Sequence, residues 1–146
     1  MPRLLVVHHT PSPAMQALLE AVREGAALVE EVELAVRPAL SAGAADLLAA
    51  DAVLLGTPAN IGYMSGALNH FFDTVYYPCL DATVGRPYGV YVHGNDDTSG
   101  ALASIERITG ALRWKQVAAP LSLVGAPGKA ELEACRELAA TVAVSL

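Results

Sequence analysis

Cysteine is scarce in this 146-residue chain: Cys79 and Cys135 are the only two, and they form no Cys-x-x-Cys pair. No redox dithiol motif is therefore present, and both thiols read as buried or half-buried side chains. Basic residues are few, 9 Lys and Arg against 15 Asp and Glu, for a net charge of −6. No basic run is long enough to track a phosphate backbone, which excludes a nucleic-acid partner. No apolar run reaches the roughly 18 residues of a membrane span, so no membrane insertion is expected. Met1-Pro2-Arg3 leads straight into an apolar strand without the segments of a signal peptide, and a cytoplasmic protein is expected. The four histidines, His8, His9, His70 and His93, show no metal-ligand spacing, so no metal site is assigned. What is abundant is apolar: 53% of residues are hydrophobic and only 16% charged. That balance excludes disorder and predicts one domain, residues 1–146, with a real core.

Strand-like and helix-like segments alternate along the chain. Leu4 to Val7 is a continuous apolar run, the pattern of a strand buried on both faces. Ser12 reads as a helix cap with Pro13 at the first helical position, and Met15, Leu18, Leu19 and Val22 follow at helical spacing. Gly25 is expected to stop that helix. Val32, Leu34 and Val36 alternate with Glu31, Glu33 and Ala35, which predicts an edge strand ended by Pro38. A short helix over 44–50 and a buried strand over 52–55 come next. Leu68, Phe71, Phe72 and Val75 share one face of a helix that Ser65 can cap. Residues 76–87 read as a connector, and Tyr88 to His93 as a fourth strand. Ala101, Leu102, Ile105, Ile108 and Leu112 mark another helix. A fifth strand is expected over 117–124, interrupted at Pro120, which a sheet edge tolerates. Leu132, Cys135, Leu138, Ala139 and Val142 give the last helix its buried face. Five such strands predict a parallel sheet covered on both sides, in the order 2-1-3-4-5 because the second strand is the polar one. That order brings together the loops after strands one, three and four.

The densest signal is Gly56-Thr57-Pro58-Ala59-Asn60-Ile61-Gly62-Tyr63-Met64-Ser65-Gly66-Ala67-Leu68-Asn69-His70-Phe71-Phe72-Asp73. It leaves a buried strand, turns through a Gly- and Pro-punctuated loop and enters an amphipathic helix. Backbone groups are thereby delivered to the carboxyl end of the sheet, where open α/β sheets bind ligands. The pattern Pro-x-x-x-Gly-x-x-x-Gly-x-Leu resembles the flavin-contacting loop of the flavodoxin-like NAD(P)H-dependent oxidoreductases and FMN reductases. The resemblance implies a flavodoxin-like three-layer sandwich with a five-stranded parallel sheet. It implies FMN as cofactor, NAD(P)H as co-substrate and a quinone or other small molecule as electron acceptor. Hydride would pass from nicotinamide to flavin N5; that chemistry belongs to the cofactor, so no side chain is assigned as a catalytic acid or base. Related enzymes pair subunits, which implies a homo-oligomer, with the semi-apolar connector over 76–87 as its interface.

The resemblance assigns cofactor-binding roles by loop. In the first, Thr10 and Ser12 offer hydroxyls, and Ser12, Ala14, Met15 and Gln16 offer N–H groups to a phosphate at a helix N-terminus. Pro13 stands where the family has Gly and Met15 where it has Ser or Thr, and Pro11 and Pro13 each delete a donor. The same residues also read as a capped helix start without a ligand. In the second loop Pro58, Ala59, Asn60, Ile61 and Gly62 match the positions that line the isoalloxazine ring. In the third, Gly94, Asn95, Asp96 and Thr98 border its pyrimidine edge, while Asp97 or Thr98 can equally cap the next helix. Tyr63 can stack on a planar ligand; His93 reads either as a flavin contact or as a structural residue.

Two other functions fit the same residues: a flavodoxin-type electron carrier that turns over no nicotinamide, and a non-catalytic binding or sensor module. The aromatic-poor loops argue against the carrier. Related architectures are excluded by specific residues. A receiver domain needs Asp at the end of strand three, where Gly56 and Thr57 stand. A low-molecular-weight tyrosine phosphatase needs a Cys-x5-Arg loop after strand one, and a dinucleotide site needs GxGxxG there.

Overall fold

A computed structural model describes residues 1–146. The elements follow in the order β1 (Arg3–His8), α1 (Pro13–Ala27), β2 (Glu33–Pro38), α2 (Ala44–Leu48), β3 (Ala52–Pro58), α3 (Gly66–Cys79), β4 (Pro87–Gly94), α4 (Ser99–Ala111), β5 (Lys115–Gln116), β6 (Leu121–Val124) and α5 (Lys129–Val144). All strand pairs are parallel, in the order β2-β1-β3-β4-β5, with β6 also on β4. This is the expected 2-1-3-4-5 sheet with the polar β2 at its edge.

Alternation along the central strands sorts their side chains into two cores. Leu5, Val7, Val53, Leu55, Val90 and Val92 face one side, where Leu68, Phe71 and Phe72 of α3 and Ala101 and Ile105 of α4 cover them. Leu4, Val6, Leu54 and Tyr91 face the other, under Met15, Leu18 and Val22 of α1 and Cys135, Leu138 and Val142 of α5. The result is a three-layer sandwich. No helix is long and apolar enough to cross a membrane.

Local chemistry sets the helix starts. Ser12 Oγ accepts from Met15 N–H at 3.2 Å with Pro13 next in line, and Ser65 Oγ accepts from Leu68 N–H at 3.2 Å.

Three expectations need correction. Gly25 does not stop α1, which runs on to Ala27. Its missing side chain instead lets α1 lie against the Arg136 backbone of α5, where a Cβ would collide. Residues 76–79 are not connector but the last turn of α3, which accommodates Pro78 near its end. The fifth strand is not one segment over 117–124. It is split: β5 pairs with the start of β4 and β6 with its end, from Tyr91↔Leu121 to Gly94↔Val124. Pro120, lacking an N–H, sits in the break.

Candidate functional site

The strands β1, β3 and β4 end at His8, Pro58 and Gly94, and the loops after them surround a cavity of about 330 Å³. The β1–α1 loop lines it with Pro11, Ser12, Pro13 and Ala14, the β3–α3 loop with Pro58, Ala59 and Asn60. The β4 end and the loop after it supply His93, Gly94, Asn95 and Asp96. Nine of the fourteen residues assigned from the sequence are thus brought together. Thr10, Met15, Ile61, Gly62 and Thr98 do not line the cavity.

The five lie elsewhere, three held by burial or hydrogen bonds and two out on the loop. Met15 is fully buried in the core beneath α1. Thr10 Oγ1 shares a 2.7 Å hydrogen bond with His8 Nδ1. Ile61 is 91% exposed on the outer rim, and Gly62 turns the loop there with φ of +72°. Thr98 is buried, its hydroxyl engaged with Ser122 of β6. Asp97, not Thr98, organises the start of α4: its carboxylate accepts from Ser99 N–H and Ser99 Oγ–H, both at 2.9 Å. Those two bonds hold the Asp97 carboxyl below the usual carboxylate range.

The phosphate-loop donors also differ from the sequence reading. Met15 N–H is committed to Ser12 Oγ, and Gln16 N–H to Ser12 O at 2.9 Å. The N–H groups of Ser12 and Ala14 have no partner within the chain, nor has that of Thr10. These free donors sit at the positive end of the 15-residue α1 helix. No Lys or Arg lines the cavity, and Asp96 is its one acidic residue. An anion placed here would therefore meet backbone donors and the helix dipole rather than a cation.

Thr57, Gly100 and Gly125, assigned no role in the site from the sequence, tie the loops together with Ala59 and His93. Thr57, fully buried, accepts Ser65 N–H at 3.0 Å and so closes the base of the β3–α3 loop. Ala59 N–H donates to His93 O at 2.8 Å, joining that loop to β4. His93 Nε2–H donates to Gly125 O at 2.7 Å, and Gly125 N–H donates back to Gly94 O at 3.0 Å. Gly125 adopts φ of +81°, so a glycine at this position is the sequence trace of the tether. Gly100 completes the set: its Cα packs on the Gly62 carbonyl, where any side chain would collide.

Burial shifts the nearby titratable groups. His8 is held below its ordinary value, first by burial and then by Arg23 and His9. The fully buried Tyr91 phenol is driven far upward by desolvation, and its oxygen has no hydrogen-bond partner. Cys79 and Cys135 are both buried and unpaired, and burial pushes the Cys135 thiol up to about 12.

With this geometry in hand, the chain can be set beside known proteins. No protein-family model matches it. A 75-residue stretch is 33% identical to a flavodoxin of Aquifex aeolicus; the match takes in 51% of this chain and 40% of the relative's length. A solved flavodoxin from the domain Archaea superimposes with a TM-score of 0.86 at 18% identity, covering 98% of this chain and 97% of the other. A WrbA-like flavodoxin from Agrobacterium tumefaciens superimposes at 0.79 and 22% identity, covering 99% and 97%. The chain has the flavodoxin-like α/β fold. These likenesses agree with the flavodoxin-like superfamily that residues 56–73 resemble.

Proposed function

We propose that this protein binds FMN and passes electrons from NAD(P)H to a quinone or other small acceptor. The observation that carries this reading is the convergence of three loops on one cavity with free N–H donors at the start of α1. The donor set fits FMN. The Ser12 and Ala14 N–H groups would hold the phosphate, with the α1 dipole in support. The small side chains of Pro58 and Ala59 leave a wall that a flat ring can approach closely. Asn60 offers amide hydrogen bonds, and the unpaired N–H groups of Asn95 and Asp96 offer donors to a polar ring edge. When bound, FMN supplies the redox chemistry; the protein binds, orients and tunes it. Asp96 borders the cavity but is exposed, so water screens its charge from a bound flavin.

No aromatic side chain lines the cavity, which leaves a bound ring open to a second planar substrate and favours the reductase. The likeness to an archaeal flavodoxin over almost the whole chain favours a second reading, a carrier that exchanges electrons with partner proteins. Anaerobic mixing of the FMN-loaded protein with NADH and NADPH separates the two. Rapid bleaching of the flavin band supports the reductase. A retained band that neither nucleotide bleaches supports the carrier.

A further inference from the structure

The cavity does not end at Asn60. That residue also lines a second hollow, of about 310 Å³, with Tyr63 and Asn69. Tyr63 in turn lines a third, of about 180 Å³, with Gly100, Ser104 and Arg107 of α4. A continuous path thus leads from the cavity, across the β3–α3 loop, to the outer face of α4. The loop is fixed against that helix, because the Gly62 carbonyl packs on the Gly100 Cα. In a chain of net charge −6, no Asp or Glu lines either outer hollow. Arg107 is the one Lys or Arg among the residues lining the path, and it has no ion partner.

We propose that this path seats the adenosine half of the reductant, and that Arg107 selects NADPH over NADH by pairing with the 2′-phosphate. This assignment rests on the reading of NAD(P)H as co-substrate, and it adds where the far end of the nucleotide lies and which form is taken. A nicotinamide set against flavin in the cavity leaves the rest of its nucleotide to exit by an open route, and the outer hollows provide one. From Ser99, at the start of α4, to Arg107 is about 12 Å of helix, a span that a dinucleotide extended through its pyrophosphate covers. Tyr63, 45% exposed at the join between the hollows, offers a flat apolar face to adenine. The Arg107 guanidinium presents paired N–H donors that match a phosphate, and nothing else in the chain neutralises its charge. NADPH differs from NADH only by that phosphate, so the guanidinium is placed to tell them apart.

The test is calorimetric titration of the full chain with adenosine 2′,5′-bisphosphate and with adenosine 5′-monophosphate. The two probes differ only in the 2′-phosphate and carry no nicotinamide. The wild type is expected to bind the bisphosphate about tenfold more tightly. Arg107→Ala is expected to erase that preference, and Arg107→Lys to restore part of it. Tyr63→Ala is expected to weaken both probes together. Arg107 is exposed on α4, so its variants should fold as the wild type does. Equal affinity of the wild type for the two probes, or binding of neither, overturns the proposal. So does an Arg107→Ala chain that keeps the preference, or a Tyr63→Ala chain that binds both probes like the wild type. Failure of the co-substrate reading looks different, because then neither NADH nor NADPH bleaches the FMN-loaded protein. Bleaching by both without a bisphosphate preference strikes this proposal and leaves the reductase standing.

Discussion

His93 and Gly125, 32 residues apart, are joined by a 2.7 Å hydrogen bond from the imidazole Nε2–H to the glycine carbonyl. The bond fastens the β6–α5 loop to the strand that carries Gly94, Asn95 and Asp96 to the cavity. Replacing His93 by Ala is expected to cost about 1–3 kcal/mol of stability by leaving the Gly125 carbonyl without its donor. It should also weaken FMN binding. His93→Gln keeps an N–H donor and should recover part of both losses. Urea denaturation and FMN titration of the two variants check this; equal losses in Ala and Gln would show that the bond does not matter.

Tyr91 and Gly56 are register partners across β4 and β3, and the phenol ring packs directly on the glycine Cα. Gly56→Ala should therefore destabilise the fold by about 1–3 kcal/mol through overpacking. Tyr91→Phe should behave oppositely. Its oxygen is buried without a partner, so removing it relieves a desolvation cost and raises stability by about 1 kcal/mol. Urea midpoints of the two variants should move in opposite directions.

Ser12 caps α1 and lines the cavity, and one substitution can separate these roles. Asp is as good a cap as Ser, so Ser12→Asp should leave thermal stability within about 0.5 kcal/mol of the wild type. The new carboxylate would repel a phosphate at the same place, and FMN affinity should fall by about tenfold or more. Affinity unchanged in this variant would place the phosphate elsewhere.

His8 predicts a pH dependence of folding. Its value in the folded chain lies below the ordinary 6.5, with burial the main cause. As pH falls below 6.5, the unfolded chain takes up a proton that the folded chain resists. Stability from this group is thus complete above the unfolded value and is lost as pH falls toward the folded one. In His8→Asn, the fall in urea midpoint between pH 7 and the onset of carboxylate protonation should be shallower than in the wild type. An unchanged slope would count against a half-buried His8 whose folded-state value is lowered.

Much of the fold is legible in the sequence because its signals are local. Ser12 and Ser65 cap helices through bonds to residues three positions on, and Leu68, Phe71, Phe72 and Val75 mark one helical face. The alternation Leu34, Val36 against Glu33 identifies β2 as the edge strand. What escaped the sequence reading depends on distant partners. Gly25 looks like a helix stop until the Arg136 backbone of α5 is set against it. Thr98 offers a free hydroxyl on paper, but in the fold Ser122 engages it. Met15 and Gln16 offer N–H groups on paper, but the Ser12 cap takes both. The cavity itself follows from strand order, since three loops far apart in sequence meet only when β1, β3 and β4 lie side by side.

The central claim is that the cavity between these loops holds FMN. Fluorescence titration of FMN with the purified flavin-free protein tests it most directly, with a Ser12→Asp control. The account predicts saturable quenching at micromolar protein that the control weakens. An absence of saturable quenching by the folded wild-type protein would contradict it.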